Sequence, residues 1–105
     1  MNLIKTSQEI QIMKEGGKIL ATVLKEVSKM AVAGITTLEL DKAAERLILK
    51  HGAKPAFKGY EGFPYSLCAS VNDVIVHGYP SNYILKNGDI VSLDMGIEYQ
   101  KLIRN

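Results

Sequence analysis

The sequence carries the same helix-start signature twice, in Thr6-Ser7-Gln8-Glu9 and again in Thr36-Thr37-Leu38-Glu39. In each, the threonine hydroxyl accepts from the amide three residues on, while the glutamate there reaches back to the threonine amide. Two otherwise orphaned donors are satisfied together. Two helices are therefore expected to open the chain. After the first signature, Ile10, Met13, Gly17, Leu20, Leu24 and Val27 recur at steps of three and four, the period of one helical face. That stripe predicts an amphipathic helix ending near Ala33-Gly34, where glycine accepts a left-handed cap. Leu40, Ala44, Leu47 and Ile48 draw a second stripe that stops at His51-Gly52. Inside the first helix, Gly16-Gly17 costs about 1 kcal/mol per glycine relative to alanine, which predicts close backbone packing against a neighbour.

From Lys54 the texture changes. Gly59-Tyr60-Glu61-Gly62-Phe63-Pro64 mixes turn formers with aromatics, and β-prone runs follow at Ser66–Val71 and Val74–Val76, with Asn72-Asp73 as the turn between them. Lys86-Asn87-Gly88-Asp89 is another turn signal, and a strand is expected from Ile90 to about Ile97. Alternation along that strand puts Val91, Leu93 and Met95 on one face and Ser92, Asp94 and Gly96 on the other. The layout is α+β: two helices followed by an antiparallel sheet, with no internal repeat, linker or low-complexity segment.

Composition bounds what such a layout can do. With 105 residues, 47% of them hydrophobic and 23% charged, the chain reads as one soluble globular unit, a domain or part of one. A unit of this size buries roughly two-thirds of its unfolded surface, so any site is expected to be shallow or shared. The net charge of +2 comes from lysines scattered among acids, which argues against nucleic acid as a partner. Met1 to Lys5 lack the apolar core of a signal peptide, and no apolar run approaches the roughly 20 residues needed to span a bilayer. A cytoplasmic protein without membrane contact is expected. The single cysteine, Cys68, excludes an internal disulfide.

Few residues are candidates for chemistry. His51 closes the second helix, where a cationic group complements the helix dipole. His77 ends the run Val74-Ile75-Val76 just before Gly78-Tyr79-Pro80, a place where loops carry binding groups. Cys68 in an apolar strand reads as a small packed residue, and Asp73 and Asp89 as turn residues. Asp94 stands mid-strand, where a carboxylate is out of place unless something binds it. His77 and Asp94 alone do not make a metal site, and the sequence has no HExxH, CxxC or phosphate-binding glycine loop.

Taken in order, Gly59-Tyr60-Glu61-Gly62-Phe63-Pro64, Ser66-Leu67-Cys68-Ala69-Ser70-Val71-Asn72, His77-Gly78-Tyr79-Pro80 and Gly88-Asp89-Ile90-Val91-Ser92-Leu93-Asp94 resemble type I methionine aminopeptidase. Ile4-Lys5-Thr6, the helix with Gly16-Gly17, and Gly34-Ile35-Thr36-Thr37-Leu38-Glu39-Leu40-Asp41 resemble that family's N-terminal segment. The resemblance implies the N-terminal half of a pita-bread (creatinase/aminopeptidase) fold, with two helices packed on a curved antiparallel sheet and residues 1–105 as a single partial domain. It implies metal-dependent removal of the initiator methionine from nascent polypeptides, using two divalent ions (Co, Mn, Fe or Zn). Tyr60, Phe63 and Cys68 would line the methionine pocket, with Phe57 as a further neighbour. His77 would be the catalytic histidine that hydrogen-bonds the substrate amide, and Asp94 the first metal ligand.

The departures from the family pattern fall at the end of the sequence. Asn105 stands where the second metal-binding aspartate is expected, and Lys101 and Arg104 stand at a glycine and an alanine position. Of the five metal ligands implied, Asp94 alone is present, so the 105 residues by themselves are expected to be an inactive, truncated form. The alternative expectation is a non-catalytic half-fold that serves as a binding or assembly module, self-associating through an exposed sheet edge.

Overall fold

The structure, a computed structural model, describes residues 6–59, 62–72 and 78–104. Both helix-start signatures close as the sequence predicts. Thr6 Oγ1 accepts from Glu9 N and Thr36 Oγ1 from Glu39 N, and each glutamate carboxylate accepts from the threonine amide in return. Helix α1 runs Ser7–Met30 and α2 runs Thr37–Lys50. Helix α1 ends before Gly34 because the following segment pairs elsewhere: Gly34 N donates to Leu85 O and Leu85 N to Ile35 O. Gly34, at φ 100°, occupies the turn into that pairing.

The buried line of α1 is Gly16, Val23 and Val27. Leu20 and Leu24 are half-buried, whereas Ile10 is 45% exposed, so the first turns of the stripe lie open. Burial of Gly16 agrees with the close packing expected of the glycine pair. On α2, Leu40, Ala44 and Ile48 are fully buried, and Thr37 and Asp41 are buried beside them. His51 is the α2 cap, its Nδ1 lying 2.9 Å from Leu47 O.

Strands β1 (Lys54–Pro55), β2 (Leu67–Val71), β3 (Val91–Met95), β4 (Ile97–Tyr99) and β5 (Leu102–Arg104) follow the helices. The sheet comes in two antiparallel pieces, β1-β4-β5 and β2-β3. The strand expected from Ile90 to Ile97 is split at Gly96, where the chain leaves β2 and takes up β1 and β5. The run Val74–Val76 lies outside the described residues. Helix α1 packs on α2 and across β4 and β5, and the core between them includes Val27, Leu40, Ile48, Leu67, Met95 and Ile97.

Candidate active site

The β2–β3 ladder sets the site. Its register pairs Leu67 with Met95, Cys68 with Asp94, Ala69 with Leu93, Ser70 with Ser92 and Val71 with Val91. Directly opposed residues share a face. Leu67, Ala69, Leu93 and Met95 therefore turn toward the helices, and Cys68, Ser70, Ser92 and Asp94 form the opposite, polar face. The alternation expected for β3 is the one found.

Cys68 is buried and Asp94 is exposed. Burial pushes the Cys68 thiol above its ordinary value, and the negative charge of Asp94 adds to the shift. Both effects favour the neutral thiol over the thiolate. Among the described residues the Asp94 carboxylate has no hydrogen-bond or ion-pair partner, which leaves its oxygens free to ligate a cation. No group of three or more His, Cys, Asp or Glu side chains among the described residues could hold a metal ion. Asp94 fits one oxygen ligand of a hard divalent ion, and these residues do not complete a site.

The outer edge of β2 is closed by two other groups. Ser66 N and Leu67 N both donate to Asp41 Oδ1, at 2.7 and 3.1 Å, and Ala69 N donates to Gly78 O at 2.9 Å. Burial raises the Asp41 carboxyl above the usual range, while the two backbone donors pull it back down. Asp41 is not among the candidate site residues that the sequence singles out. Its signal is the spacing Thr37, Asp41, Ala44, Ile48, which puts the carboxylate on the buried stripe of α2. Gly78 is required where it sits, because a Cβ there would overlap the Ala69 carbonyl oxygen.

Phe63 is the hub of an aromatic group. Its ring meets Phe57 at 6.4 Å, Tyr65 at 5.8 Å and Tyr79 at 5.3 Å, all near edge-on, the geometry that aligns ring edges with π faces. Ala56 N donates to Gly96 O, which brings the chain at Phe57 beside the end of β3. Tyr65 and Tyr79 were not foreseen as members; Tyr79 is 61% exposed. Of the residues expected to act, Phe63, Cys68 and Asp94 are described, whereas Tyr60, His77 and Asn105 lie outside the described residues.

Asp89 is structural, as its turn setting suggested. Its carboxylate accepts from Lys86 N, Asn72 Nδ2 and Tyr83 OH, and those bonds hold it below the ordinary carboxyl range. Asn72, at φ 56°, also accepts from Ile90 N. The two ends of the 72–90 segment are tied together in this way.

A family model described as metallopeptidase family M24 matches residues 11–103. The methionine aminopeptidase of Clostridium perfringens is 52% identical over 97 residues, which are 92% of this chain and 39% of that protein. Methionine aminopeptidase 1 of Bacillus subtilis is 51% identical over 96 residues, 91% of this chain and 39% of its own. The crystal structure of a methionine aminopeptidase from Thermotoga maritima superimposes with a TM-score of 0.92 at 45% identity, covering 98% of this chain and 42% of that one. The chain thus spans well under half the length of the proteins it matches. No helix among the described residues is long and apolar enough to cross a membrane.

Proposed function

Since the chain belongs to metallopeptidase family M24 and has the helices and antiparallel strands of the N-terminal half of a pita-bread fold, we propose that it forms the methionine-recognising part of a methionine aminopeptidase. Its reaction is removal of the N-terminal methionine from nascent polypeptides in the cytoplasm, and residues 1–105 are the N-terminal half of the catalytic domain. The observation that carries this reading is the cross-strand pair of Cys68 and Asp94. It sets a neutral thiol and an exposed carboxylate on one rung of the ladder, so that an apolar side chain held against the sulfur would lie beside a cation held by the carboxylate.

Phe63 and Cys68, with Tyr60 and Phe57, give the methionine side chain apolar contact, and a thioether lies well against aromatic rings. His77 donates to the substrate amide and to the oxyanion that develops on it. Asp94 contributes one ligand to a pair of divalent ions (Co, Mn, Fe or Zn). Such ions, when bound, would lower the pKa of a water and stabilise charge developing on the attacked carbonyl. The 105 residues bring one anionic ligand of the set, so on their own they bind the methionine end without turning it over.

Protection of the single cysteine tests this reading. A Met-Ala-Ser peptide is expected to slow modification of Cys68 by a thiol reagent, a Glu-Ala-Ser peptide to leave it unchanged, and Phe63→Ala to abolish the difference. Equal effects of the two peptides would refute the pocket. Incubation of the chain with Met-Ala and Co²⁺ or Mn²⁺ is expected to release no methionine, and robust release would overturn the requirement for further ligands.

A further inference from the structure

We infer that Asp41 is a positioning residue for the pocket strand, a register latch that decides which face of β2 carries Cys68. The inference rests on the reading of Cys68 as a pocket wall. Strand β2 is Leu67-Cys68-Ala69-Ser70-Val71, and its three central side chains are all small. Register in a sheet is normally specified by a large-apolar and polar alternation, and a slip by one residue exchanges the two faces. Within β2 the contrast comes from its ends, Leu67 and Val71 on the core face, while Cys68, Ala69 and Ser70 add little, so β2 specifies its own register less strongly than β3 does with Val91, Leu93 and Met95.

The outer edge supplies what the side chains lack. Asn72 N donates to Ile90 O on the β3 side, and strand amides alternate between edges. The even-numbered amides of β2 thus face β3 and the odd-numbered ones face outward. Leu67 N, an outward amide, ends on Asp41 Oδ1, and so does Ser66 N just before the strand. Two successive N–H groups converge on one oxygen, a geometry available only when residues 66 and 67 hold this position along α2. After a one-residue slip, Cys68 would turn toward the helices and lose Asp94 as its partner. Asp41 is itself anchored, being buried on the α2 face between Thr37 and Ala44.

The role requires an acceptor oxygen and not a charge. Asp41→Asn keeps the oxygen, while Asp41→Ala leaves two buried donors without a partner. Cys68 is the only cysteine in the sequence, so the rate of its modification by a thiol reagent in the 105-residue chain reports the strand directly and needs no turnover. Failure of this inference is therefore distinguishable from failure of the aminopeptidase reading. With far-UV circular dichroism confirming helix content, Asp41→Asn is expected to react within about threefold of the unaltered chain, and Asp41→Ala at a rate about tenfold or more different, faster where the orphaned buried donors open the strand and slower where a slip turns Cys68 into the core. If Asp41→Ala fails to fold, the Asp41→Asn rate decides: slow modification supports the latch. A folded Asp41→Ala chain as slow as the parent, or an Asp41→Asn chain reacting tenfold faster than the parent, would overturn it.

Discussion

Cys68 and Asp94 face each other directly across the β2–β3 ladder, so a buried thiol shares a rung and a face with an exposed carboxylate. Burial and, to a smaller extent, the carboxylate discourage thiolate formation.

Removing the charge should therefore release part of the thiol's shift. In metal-free buffer, Asp94→Asn is expected to move the pH midpoint of Cys68 modification downward, toward but not reaching that of an ordinary cysteine, because burial is the larger cause and remains. Thiol-reagent rates measured across a pH series check this. An unchanged midpoint would show that burial acts alone.

Acid stability tests the Asp89 tie. Its folded pKa is lowered, so its stabilisation is complete above the ordinary carboxyl range and is lost as pH falls through the folded value. The raised Asp41 has the opposite sign: its contribution is complete below the ordinary value and is lost as pH rises through the folded one. Asp89→Asn should flatten the acid-side fall in the urea midpoint relative to the parent chain. Parallel curves for the two proteins would argue against the tie.

Gly78→Ala puts a methyl group into the Ala69 carbonyl, with backbone on both sides of the clash. A loss of about 2 kcal/mol or more in urea unfolding is expected, together with faster exchange of the Ala69 amide, whose acceptor is Gly78 O. Wild-type stability would mean that the Gly78 segment is not held against β2.

The β4–β5 turn offers a gain instead. Gln100 and Lys101, at φ 48° and 70°, are its two linking residues, and positive φ at both is the conformation that selects Asn-Gly. Lys101→Gly should raise stability by about 1 kcal/mol by removing the left-handed cost of a side chain. A loss of stability on this substitution would place the turn elsewhere.

Much of the molecule was legible in the sequence because it rests on local chemistry. The Thr6/Glu9 and Thr36/Glu39 signatures fix helix starts through bonds spanning three residues, and period-two alternation in Val91–Met95 assigns faces without knowledge of the partner strand. The ordered segments around Phe63, Cys68 and Asp94 pointed to a family, and the family match agrees.

Tertiary contact decided the rest. Gly34 ends no helix because Leu85, far along the chain, captures its amide, and a single expected strand became β3 and β4 because Gly96 is where the pairing partners change. Asp41 carries no local signature of its role. Only the packing of α2 against residues 66 and 67 gives its carboxylate two backbone donors. Sequence alone therefore determined which residues β2 carries. The fold decided which way that strand faces, because register within a run of small side chains is set by hydrogen bonds from outside the strand.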